Sequence, residues 1–357
     1  MKRLLIFHPT IAPYRIDFFN QLFQVFDCRI CLSYRFTLFD YEKIEKELLF
    51  TPVYITNKTD YWKQLDEFNP DIVMTGEFGL STIIPIIHRK VKKKGYKIVS
   101  ICDDSHDMIA NDNDFSIKHK IARKVITPLI DDLVVVEPKV KDWYFHHYGK
   151  GIFFPIIRDG DKARETYERL LPKSKALIQK HHLEDKNVFL FVGRLVAIKN
   201  VPALLYAFSK LDQTNNVLVI IGSGEEEDSL KKQAHATCSQ TIFTGRLEGD
   251  DLYAWYNVAD YFVLPSTKEA FGAVTNEALL AGCYCLVSSN AGSACLIEDK
   301  KNGEVFYPHN IAELTKKMVA LASKKPQKDI TDMREDNMIY SFRERMSNLI
   351  ACLNRLS

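Results

Sequence analysis

Arg194 and Lys199 are the residues whose type and spacing first indicate chemistry. They lie five positions apart and follow Gly193, which comes directly after the apolar run NVFLFV. A glycine at the carboxyl end of a strand permits a sharp turn at the edge where open α/β sheets bind ligands. Arginine offers phosphate a bidentate fork and lysine a point charge, so the pair predicts a phosphate site. A solvated loop between strand and helix is the alternative.

Glu269 and Glu277 form a second candidate group, with seven residues between them. A chain of this length contains about one such pair by chance, so the spacing alone is uninformative. The context is informative, because Phe271-Gly272-Ala273 is predicted to begin a helix, where free N–H groups and the dipole hold an anion. Glu277 lies within that helix. One carboxylate is therefore expected to meet the hydroxyls of a sugar and the other a ribose diol.

A third motif, Gly222-Ser223-Gly224, follows the apolar run VLVII and resembles half of a dinucleotide fingerprint. The third glycine of that fingerprint is missing, and the acidic run EEED that follows would repel a pyrophosphate. These acidic residues are better interpreted as the start of a helix. We therefore predict no nicotinamide cofactor.

The elements that must position these residues follow from the pattern of apolar runs. The runs are continuous rather than alternating, which is typical of parallel strands that helices cover on both faces. Their alternation with amphipathic segments predicts an α/β fold of doubly wound sheets. The predicted strands are 3–7, 28–33, 52–56, 71–75, 97–102, 132–136, 151–154, 187–192, 217–221, 241–244, 260–264, 284–288 and 304–306. The clearest predicted helices are 14–26, 79–94, 200–212, 249–258 and 271–282.

The alternation is interrupted once, over the polar residues 158–186, which carry one long helix pattern. A chain of 357 residues is long enough for two domains, so this stretch is the expected boundary. We predict one domain over 1–165 and another over 166–335. The remainder, 336–357, is predicted to end in an amphipathic helix over about 338–355.

The composition is that of an ordinary globular chain. Lys and Arg number 48 against 46 Asp and Glu, and the net charge of +2 argues against a nucleic-acid partner. With 46% hydrophobic residues the chain is neither disordered nor collagen-like. We expect the eight cysteines to be free thiols in a reducing compartment. Since neither a signal-peptide core nor a transmembrane run is evident, we expect a location in the cytoplasm or on the inner face of the cell membrane.

The motifs of the second half together resemble the donor-binding half of GT-B glycosyltransferases, in the large retaining family 4 (glycosyl transferases group 1). The resemblance covers residues 187–308 and runs in order through FVGRLVAIKN, VLVIIGSGEEEDSL, TIFTGRL, LYAWYNVADYFVLPSTKEAFGAVTNEALLAG and NAGSACLIEDKKNGEVF. The first half is covered only weakly. The resemblance implies two Rossmann-like domains that face each other across a cleft. It also implies an acceptor-binding N-terminal domain, a donor-binding C-terminal domain, and a final helix that packs back on the first.

The same resemblance implies an activity. A retaining, metal-independent enzyme would move a sugar from a UDP- or GDP-sugar to a glycan or lipid-linked acceptor in polysaccharide, lipopolysaccharide or glycolipid synthesis. The nucleotide diphosphate sugar is a co-substrate, and no cofactor is implied. A nucleotide-sugar epimerase, a phosphorylase on the same scaffold and a non-catalytic nucleotide-sugar-binding subunit are the alternatives.

The resemblance also assigns roles to individual residues. Glu269 and His106 would be catalytic and face the transferred sugar, although His106 has the alternative of an ordinary histidine in an acidic turn. The implied donor-binding residues are Gly193, Arg194, Lys199, Arg246, Leu247, Phe271, Gly272, Ala273 and Glu277. We predict acceptor binding by Pro13, Tyr14, Arg15 and Glu77, and no metal ligand.

Some features depart from the family or have a simpler interpretation. The segment from His8 to Arg15 replaces a glycine-rich loop, and Asn200 stands where glycine is usual. The Asp-x-Asp pairs of residues 112–114 and 159–161 match a metal-binding motif of other transferases but are interpreted as turns. The basic cluster of residues 89–97 either complements a helix carboxyl end or attaches the protein to the surface of an anionic membrane.

Overall fold

The computed structural model describes residues 1–35, 41–110, 116–323 and 332–356, and the chain divides into two compact units. The first unit contains Met1–Arg158 together with Phe342–Ser357, and the second contains Asp159–Ser341. Each unit is built on a parallel sheet with surrounding helices. The prediction of an α/β architecture of doubly wound sheets is confirmed.

The first unit has a sheet of seven parallel strands in the order β3-β2-β1-β4-β5-β6-β7. These strands are β1 Arg3–His8, β2 Asp27–Leu32, β3 Val53–Tyr54, β4 Ile72–Gly76, β5 Lys97–Cys102, β6 Asp132–Val135 and β7 Ile152–Phe153. The helices between them are α1 Ile16–Val25, α2 Tyr41–Glu47, α3 Lys58–Phe68, α4 Leu80–Val91, α5 His106–Ala110, α6 Ile117–Ile126 and α7 Pro138–Tyr148.

The second unit has a sheet of six parallel strands in the order β10-β9-β8-β11-β12-β13. These strands are β8 Asn187–Val192, β9 Asn216–Ile221, β10 Thr241–Gly245, β11 Tyr261–Leu264, β12 Tyr284–Ser288 and β13 Gly303–Phe306. The accompanying helices are α8 Gly160–Arg169, α9 Leu171–His181, α10 Val201–Phe208, α11 Glu227–Thr237, α12 Asp250–Val258, α13 Val274–Leu280 and α14 Ile311–Ala322. A last helix, α15 Phe342–Leu356, belongs to the first unit.

Burial on both faces of the central strands explains the continuous apolar runs. Every residue of β8, β9 and β11 is buried, as is every residue of β4. All strand pairs are parallel, and the register aligns Leu4 of β1 with Cys28 of β2 and Ile72 of β4. The predicted strands are all present within the described residues, with bounds that agree to within two positions.

Several predictions about the helices were wrong. Helix α10 ends at Phe208, four residues before the predicted end, and α13 begins at Val274, so that Phe271-Gly272-Ala273 precedes the helix rather than beginning it. The stretch of residues 158–186 holds two helices, α8 and α9, rather than one, and they divide at Leu170. The first Asp of the Asp159-Gly160-Asp161 pair caps α8, since its side chain accepts from the N–H of Asp161 at 3.1 Å. The other pair, residues 112–114, lies outside the described residues.

The final helix begins at Phe342, four residues after the predicted start, because the chain before it is bonded to other residues of the second unit, to which it belongs. Arg334 donates to the carbonyl oxygens of Ala259 at 2.7 Å and Tyr256 at 3.0 Å. The N–H of Asn337 donates to the carbonyl of Leu279 at 2.9 Å. These contacts fix a non-helical path that the apolar spacing of the sequence does not reveal.

Within the first unit, α15 packs beside the edge strand and the start of the chain. The rings of Phe342 and Phe154 meet edge to face at 6.0 Å, and the guanidinium of Arg345 lies 5.7 Å from the ring centre of Phe153. The Lys2 ammonium donates to the carbonyl of Asn354 at 2.5 Å.

The eight cysteines of the sequence all lie in described residues and are free thiols. Burial raises the pKa of both Cys28 and Cys31 to about 12, which argues against a reactive or metal-binding Cys-x-x-Cys pair. Among the helices that the structure describes, none is long and apolar enough to cross a membrane.

We predict that Arg334→Ala lowers the free energy of unfolding by about 2 kcal/mol. Its guanidinium supplies charge-assisted hydrogen bonds to carbonyls at the end of α12, where no intrahelical donors are available. Urea unfolding of the whole chain measures the change. Arg355→Ala, which removes an arginine of α15 bonded only within its own helix turn, is the control. Equal stability of both variants would contradict the capping role.

Candidate functional site

The carboxyl ends of β8 and β11 form the natural ligand crevice of the second unit. In the order β10-β9-β8-β11-β12-β13, the direction of winding reverses between these two neighbouring strands. The loops that leave them therefore go to opposite faces of the sheet and open a crevice at this edge. Gly193, Arg194 and Lys199 follow β8, and the segment 265–273 follows β11. Most of the predicted donor-binding residues thus meet at one point.

Lys199 and Glu269 are in direct contact at this point. The ammonium of Lys199 forms a short ion pair with a carboxylate oxygen of Glu269, and each side chain is only 14% exposed. The hydroxyl of Ser266 donates to the same oxygen at 3.3 Å. Their spacing in the sequence is 70 positions, so the contact exists only because the sheet places β8 beside β11.

Asn200 explains how the loop after β8 is held. The residue adopts a left-handed conformation, with φ of 53°, which asparagine tolerates better than most residues. Its side-chain amide donates to the carbonyls of Pro265 at 3.3 Å and Pro308 at 3.2 Å. The replacement of the usual glycine therefore keeps the required conformation and adds a clamp between loops.

The turn from Glu269 to Ala273 is supported by the loop that follows β12. The N–H of Ser293 donates to the carbonyl of Phe271 at 2.8 Å, and Glu269 forms a backbone bridge with Ala291. Gly272 has φ of 91°, and a Cβ there would lie 2.7 Å from Leu264. A side chain at position 272 would thus disturb the turn that carries Glu269.

Helix α13 begins directly after this turn and presents Glu277 on its buried side. Glu277 is 8% exposed, and its carboxylate accepts from the hydroxyl of Tyr256 at 2.9 Å. The hydroxyl of Tyr167 donates to the Glu277 carbonyl at 3.0 Å. Burial and the nearby carboxylate raise the pKa of Tyr256 well above its ordinary value, so the phenol remains a hydrogen-bond donor. Sequence reasoning missed both tyrosines, because only the packing of α8 and α12 brings them here.

The two predicted arginines of the second unit lie on its surface. Arg194 is exposed, and the described residues give its guanidinium no hydrogen-bonding partner. Arg246 is also exposed and pairs with Glu248. Leu247, beside it, is half-buried. Both arginines can therefore reorient toward an anionic ligand at little cost.

Close packing of the strand ends explains why the first residue of the Gly-Ser-Gly motif, Gly222, is a glycine. Gly222 has φ of 148°, and a Cβ there would lie 1.8 Å from the carbonyl oxygen of Gly193. Its N–H donates to the carbonyl of Gly245 at 2.9 Å, which joins the ends of β9 and β10, and the N–H of Gly193 donates to the carbonyl of Ile221 at 3.0 Å, which joins the ends of β8 and β9. The backbone thus requires glycine at position 222, while the absence of a nicotinamide cofactor stays a prediction.

The first unit has an equivalent point between β1 and β4, where its winding reverses. Pro13 and Tyr14 follow β1 and are half-buried, whereas Arg15 is buried and pairs with Asp103 after β5. The N–H of Asp103 approaches Glu77 Oε1 at 3.4 Å. The structure therefore brings together the predicted acceptor residues, which belong to two separate loops.

His119 of α6 completes this group and was missed by sequence reasoning. Its Nε2 lies 3.1 Å from Glu77 Oε2, and its Nδ1 lies 3.7 Å from Asp104 Oδ1. Withdrawal from water raises the pKa of Glu77, although 40% of the side chain remains accessible, and the His119 hydrogen bond opposes this. In the sequence His119 lies between Lys118 and Lys120, and no motif distinguishes it from other histidines.

Asp104 is the buried anchor of the same network. It is 2% exposed and accepts from Arg123 at 3.1 Å and from the Tyr144 hydroxyl at 3.3 Å. Cys102, Glu77 and Asp104 have possible ligand atoms within 4.8 Å of one another. The donor set fits a cation poorly, because burial raises the pKa of the Cys102 thiol well above its usual value and Arg123 already neutralises Asp104.

His106 begins α5, and its N–H donates to Glu137 Oε2 at 2.7 Å. Its imidazole is half-buried, and burial together with the positive charge of Lys139 lowers its pKa. The ring is therefore neutral near pH 7 and can both donate and accept a hydrogen bond. Burial raises the pKa of the Glu137 carboxyl to about 7.

Comparison with known proteins identifies similarities in both sequence and fold. Residues 173–337 match the family described as Glycosyl transferases group 1. An uncharacterized glycosyltransferase of Methanocaldococcus jannaschii is 38% identical over 130 residues, which are 36% of this chain and 33% of that protein. Alpha-monoglucosyldiacylglycerol synthase of Streptococcus pneumoniae is 31% identical over 194 residues, 47% of this chain and 44% of that protein. The chain thus spans a third to just under half of the length of these relatives.

Solved structures of similar fold cover nearly the full length of the chain. The apo form of the lipopolysaccharide outer core galactosyltransferase WaaB has a TM-score of 0.69 at 17% identity, over 98% of this chain and 99% of that one. Anabaena HepE in complex with UDP-glucose has a TM-score of 0.72 at 15% identity, over 100% of this chain and 98% of that one. These similarities identify the fold as GT-B.

We predict that Glu137→Gln removes a pH dependence of stability. The pKa of Glu137 rises from 4.5 to about 7, so the neutral carboxyl favours the folded state below about pH 4.5, and this contribution is lost as the pH rises through 7. Across this pH range the free energy of unfolding falls by about 3 kcal/mol at most. Glutamine stays neutral and still accepts from the His106 N–H, so the variant should lose less stability between pH 5 and pH 8.

Urea unfolding of wild type and variant at the two pH values measures this difference. Glu67→Gln is the matched control, because Glu67 is an exposed glutamate paired at 3.8 Å with Lys63. A wild-type stability that does not fall relative to Glu137→Gln over this range would contradict the assignment.

Proposed function

We propose that this protein transfers a sugar from a nucleotide diphosphate sugar to a glycan or lipid-linked acceptor, because residues 173–337 match the family described as Glycosyl transferases group 1. The observation that carries the proposal is the Lys199–Glu269 pair at the winding reversal of the second sheet. A lysine suited to a diphosphate and a carboxylate suited to sugar hydroxyls stand there in contact. The binding of UDP-glucose by a structure of the same fold supports the donor class.

The chemistry follows from where charge develops. Breakage of the bond between the sugar and the β-phosphate leaves negative charge on the departing diphosphate. Lys199, the exposed Arg194 and the N–H groups before α13 would stabilise that charge, and removal of one such donor typically costs about 3 kcal/mol of transition-state stabilisation. Cationic side chains would thus supply what a divalent metal supplies elsewhere, and we propose a metal-independent reaction.

The ion pair has a second consequence for binding. In the absence of a donor, the charges of Lys199 and Glu269 neutralise each other. Neither side chain, each only 14% exposed, is then left with an unpaired charge. A diphosphate would give Lys199 a second anionic partner and leave Glu269 oriented toward the sugar. The neighbouring N–H groups of Phe271, Gly272 and Ala273 would lie near the sugar and the β-phosphate. We propose retention of the anomeric configuration.

The remaining donor contacts belong to the nucleoside. Glu277, held by Tyr256, would accept hydrogen bonds from the ribose hydroxyls. Arg246 and Leu247, in the turn after β10, would border the base. Gly193 would allow the donor phosphates to approach the end of β8.

The acceptor is assigned to the first unit. Pro13, Tyr14, Arg15 and Glu77 surround its winding reversal, and the neutral imidazole of His106 would contact the sugar during transfer. The relative named as a glucosyldiacylglycerol synthase and the solved structure named as a lipopolysaccharide galactosyltransferase support an acceptor that is lipid-linked or part of a growing glycan. We propose a cytoplasmic location, with peripheral attachment to the inner face of the cell membrane.

We predict that Lys199→Ala lowers the rate of sugar transfer by about a hundred-fold to a thousand-fold and weakens binding of the donor. The measurements are thermal shift with UDP- and GDP-sugars, followed by product analysis with and without acceptor. Lys317→Ala is a matched control, because Lys317 and Glu304 form a similar ion pair in the same unit, with side chains 19% exposed. Equal loss of donor binding in the two variants would contradict the assignment.

Product analysis also separates the alternatives. An epimerase converts the donor without an acceptor, and a binding subunit gives a thermal shift without turnover on a panel of acceptors. Either result would replace the transferase proposal, whichever residue binds the donor.

We further predict that transfer continues after EDTA treatment. Lys199, Arg194 and the turn before α13 would carry the charge stabilisation without a metal ion. The measurement is the transfer rate before and after chelation. Loss of activity that Mn²⁺ restores would instead favour a metal-binding Asp-x-Asp motif.

A further inference from the structure

Helices α4 and α6 of the first unit each expose one row of aliphatic side chains. On α4, Leu80, Ile83, Ile87 and Val91 lie three or four positions apart and are 36% to 63% exposed. On α6 and the turn after it, Ile117, Ile121, Val125 and Leu129 lie four apart and are 49% to 76% exposed. Regular spacing places each row on one face of its helix.

The two rows border a single apolar groove of about 490 Å³. Ile83 and Ile87 line it from α4, and Ile121 and Val125 line it from α6. Lys118 contributes the only charged side chain of the lining within the described residues. The exposed rows therefore belong to one continuous surface, which we call the α4/α6 face. Contiguous apolar surfaces of this kind mark sites of interaction.

The charged residues of helices α4 and α6 themselves are all basic. Neither α4 (LSTIIPIIHRKV) nor α6 (IKHKIARKVI) contains an acidic residue. Lys90, Lys93, Lys118 and Lys124 are exposed, and the structure gives them no acidic partner among the described residues. Positive charge here thus exceeds what a helix carboxyl end requires, since Lys118 lies in the first turn of α6.

The composition of the face favours lipid over a protein partner. Protein interfaces are enriched in Trp, Tyr and Arg and depleted in Lys. The two exposed rows contain only Leu, Ile and Val, and the unpaired charges beside them are lysines. Aliphatic side chains that enter the acyl boundary, with lysines at the level of anionic headgroups, are typical of interfacial helices.

We propose that the α4/α6 face docks on the surface of a bilayer that contains anionic lipid. The aliphatic rows insert between lipid chains, and Lys90, Lys93, Lys118 and Lys124 contact the headgroups. Of the basic cluster of residues 89–97, Lys90 and Lys93 are part of this face, whereas its four other basic residues are engaged elsewhere. Lys97 lies 3.6 Å from Asp131, and Lys94 donates to Asn69 Oδ1 at 3.0 Å. Arg89 pairs with Asp131, and Lys92 lies 3.8 Å from Asp66. The proposal rests on the peripheral attachment proposed above and names the surface that makes it, and its test does not require sugar transfer.

Vesicle co-sedimentation of the full chain tests the proposal. Wild type should bind vesicles of phosphatidylcholine in which about a third of the lipid is phosphatidylglycerol, and bind pure phosphatidylcholine at least ten-fold more weakly. Ile121→Ser combined with Val125→Ser should weaken binding by more than ten-fold, since both side chains are more than half exposed and lose their inserted surface. Lys118→Gln combined with Lys124→Gln should weaken binding by about thirty-fold and reduce its sensitivity to salt.

Matched changes on α14 serve as controls. Ile311→Ser with Val319→Ser removes two aliphatic side chains that are 38% and 45% exposed, and Lys316→Gln removes an exposed lysine. These variants should bind like wild type, and all variants should keep the wild-type melting temperature. Equal binding by α6 and α14 variants, or no binding of wild type, would overturn the proposal. So would self-association of wild type that the α6 variants abolish, because the face would then be a protein interface.

Discussion

The order of strands in each parallel sheet decides where this protein can hold a ligand. Both sheets wind outward from an inner pair of strands, β1 and β4 in the first unit and β8 and β11 in the second. Only at these pairs do neighbouring loops leave toward opposite faces, so only there does the edge of the sheet open. Polar groups near the opening lose part of their hydration, so they must form hydrogen bonds or ion pairs with one another. The hydrogen bonds of Asn200 and the ion pair of Lys199 with Glu269 satisfy this requirement in the second unit.

The same requirement distinguishes two kinds of charged group. Lys317 and Glu304 form a half-buried pair away from the opening, and such a pair needs no function. At the opening of the first unit, the pKa of Glu77 is raised and nearby acids are shared among Arg15, His119 and Arg123. A carboxyl group that interacts with several charged partners changes its protonation when a ligand brings a further charge close to it. We therefore interpret these clusters as functional because they lie at the opening of the sheet. Charge neutralisation by a partner is not sufficient evidence, since structural ion pairs have it too.

Local sequence predicted the elements well because the signals are local. Continuous apolar runs located the strands within two positions, and glycine after β8 and β9 indicated turns. Contacts between distant segments were not accessible in this way. Lys199 and Glu269 were each identified, but their contact depends on strand order, as do the Tyr256–Glu277 bond and the place of His119. The late start of α15 has the same origin, since Arg334 is held by carbonyls of another element.

Helices α4 and α6 connect the two surfaces proposed for the first unit. Helix α4 begins three residues after Glu77, and α6 carries His119 toward Glu77 while Ile117, Lys118 and Ile121 face outward. A bilayer that covers the outer face of these helices would therefore lie one helix diameter, about 10 Å, from the acceptor residues. A lipid-linked acceptor could then present its sugar to Glu77 while its chain remains in the membrane. In these two proposals the buried side of α6 would lie beside the acceptor and the exposed side against the membrane, a division that suits an amphipathic helix without acidic residues.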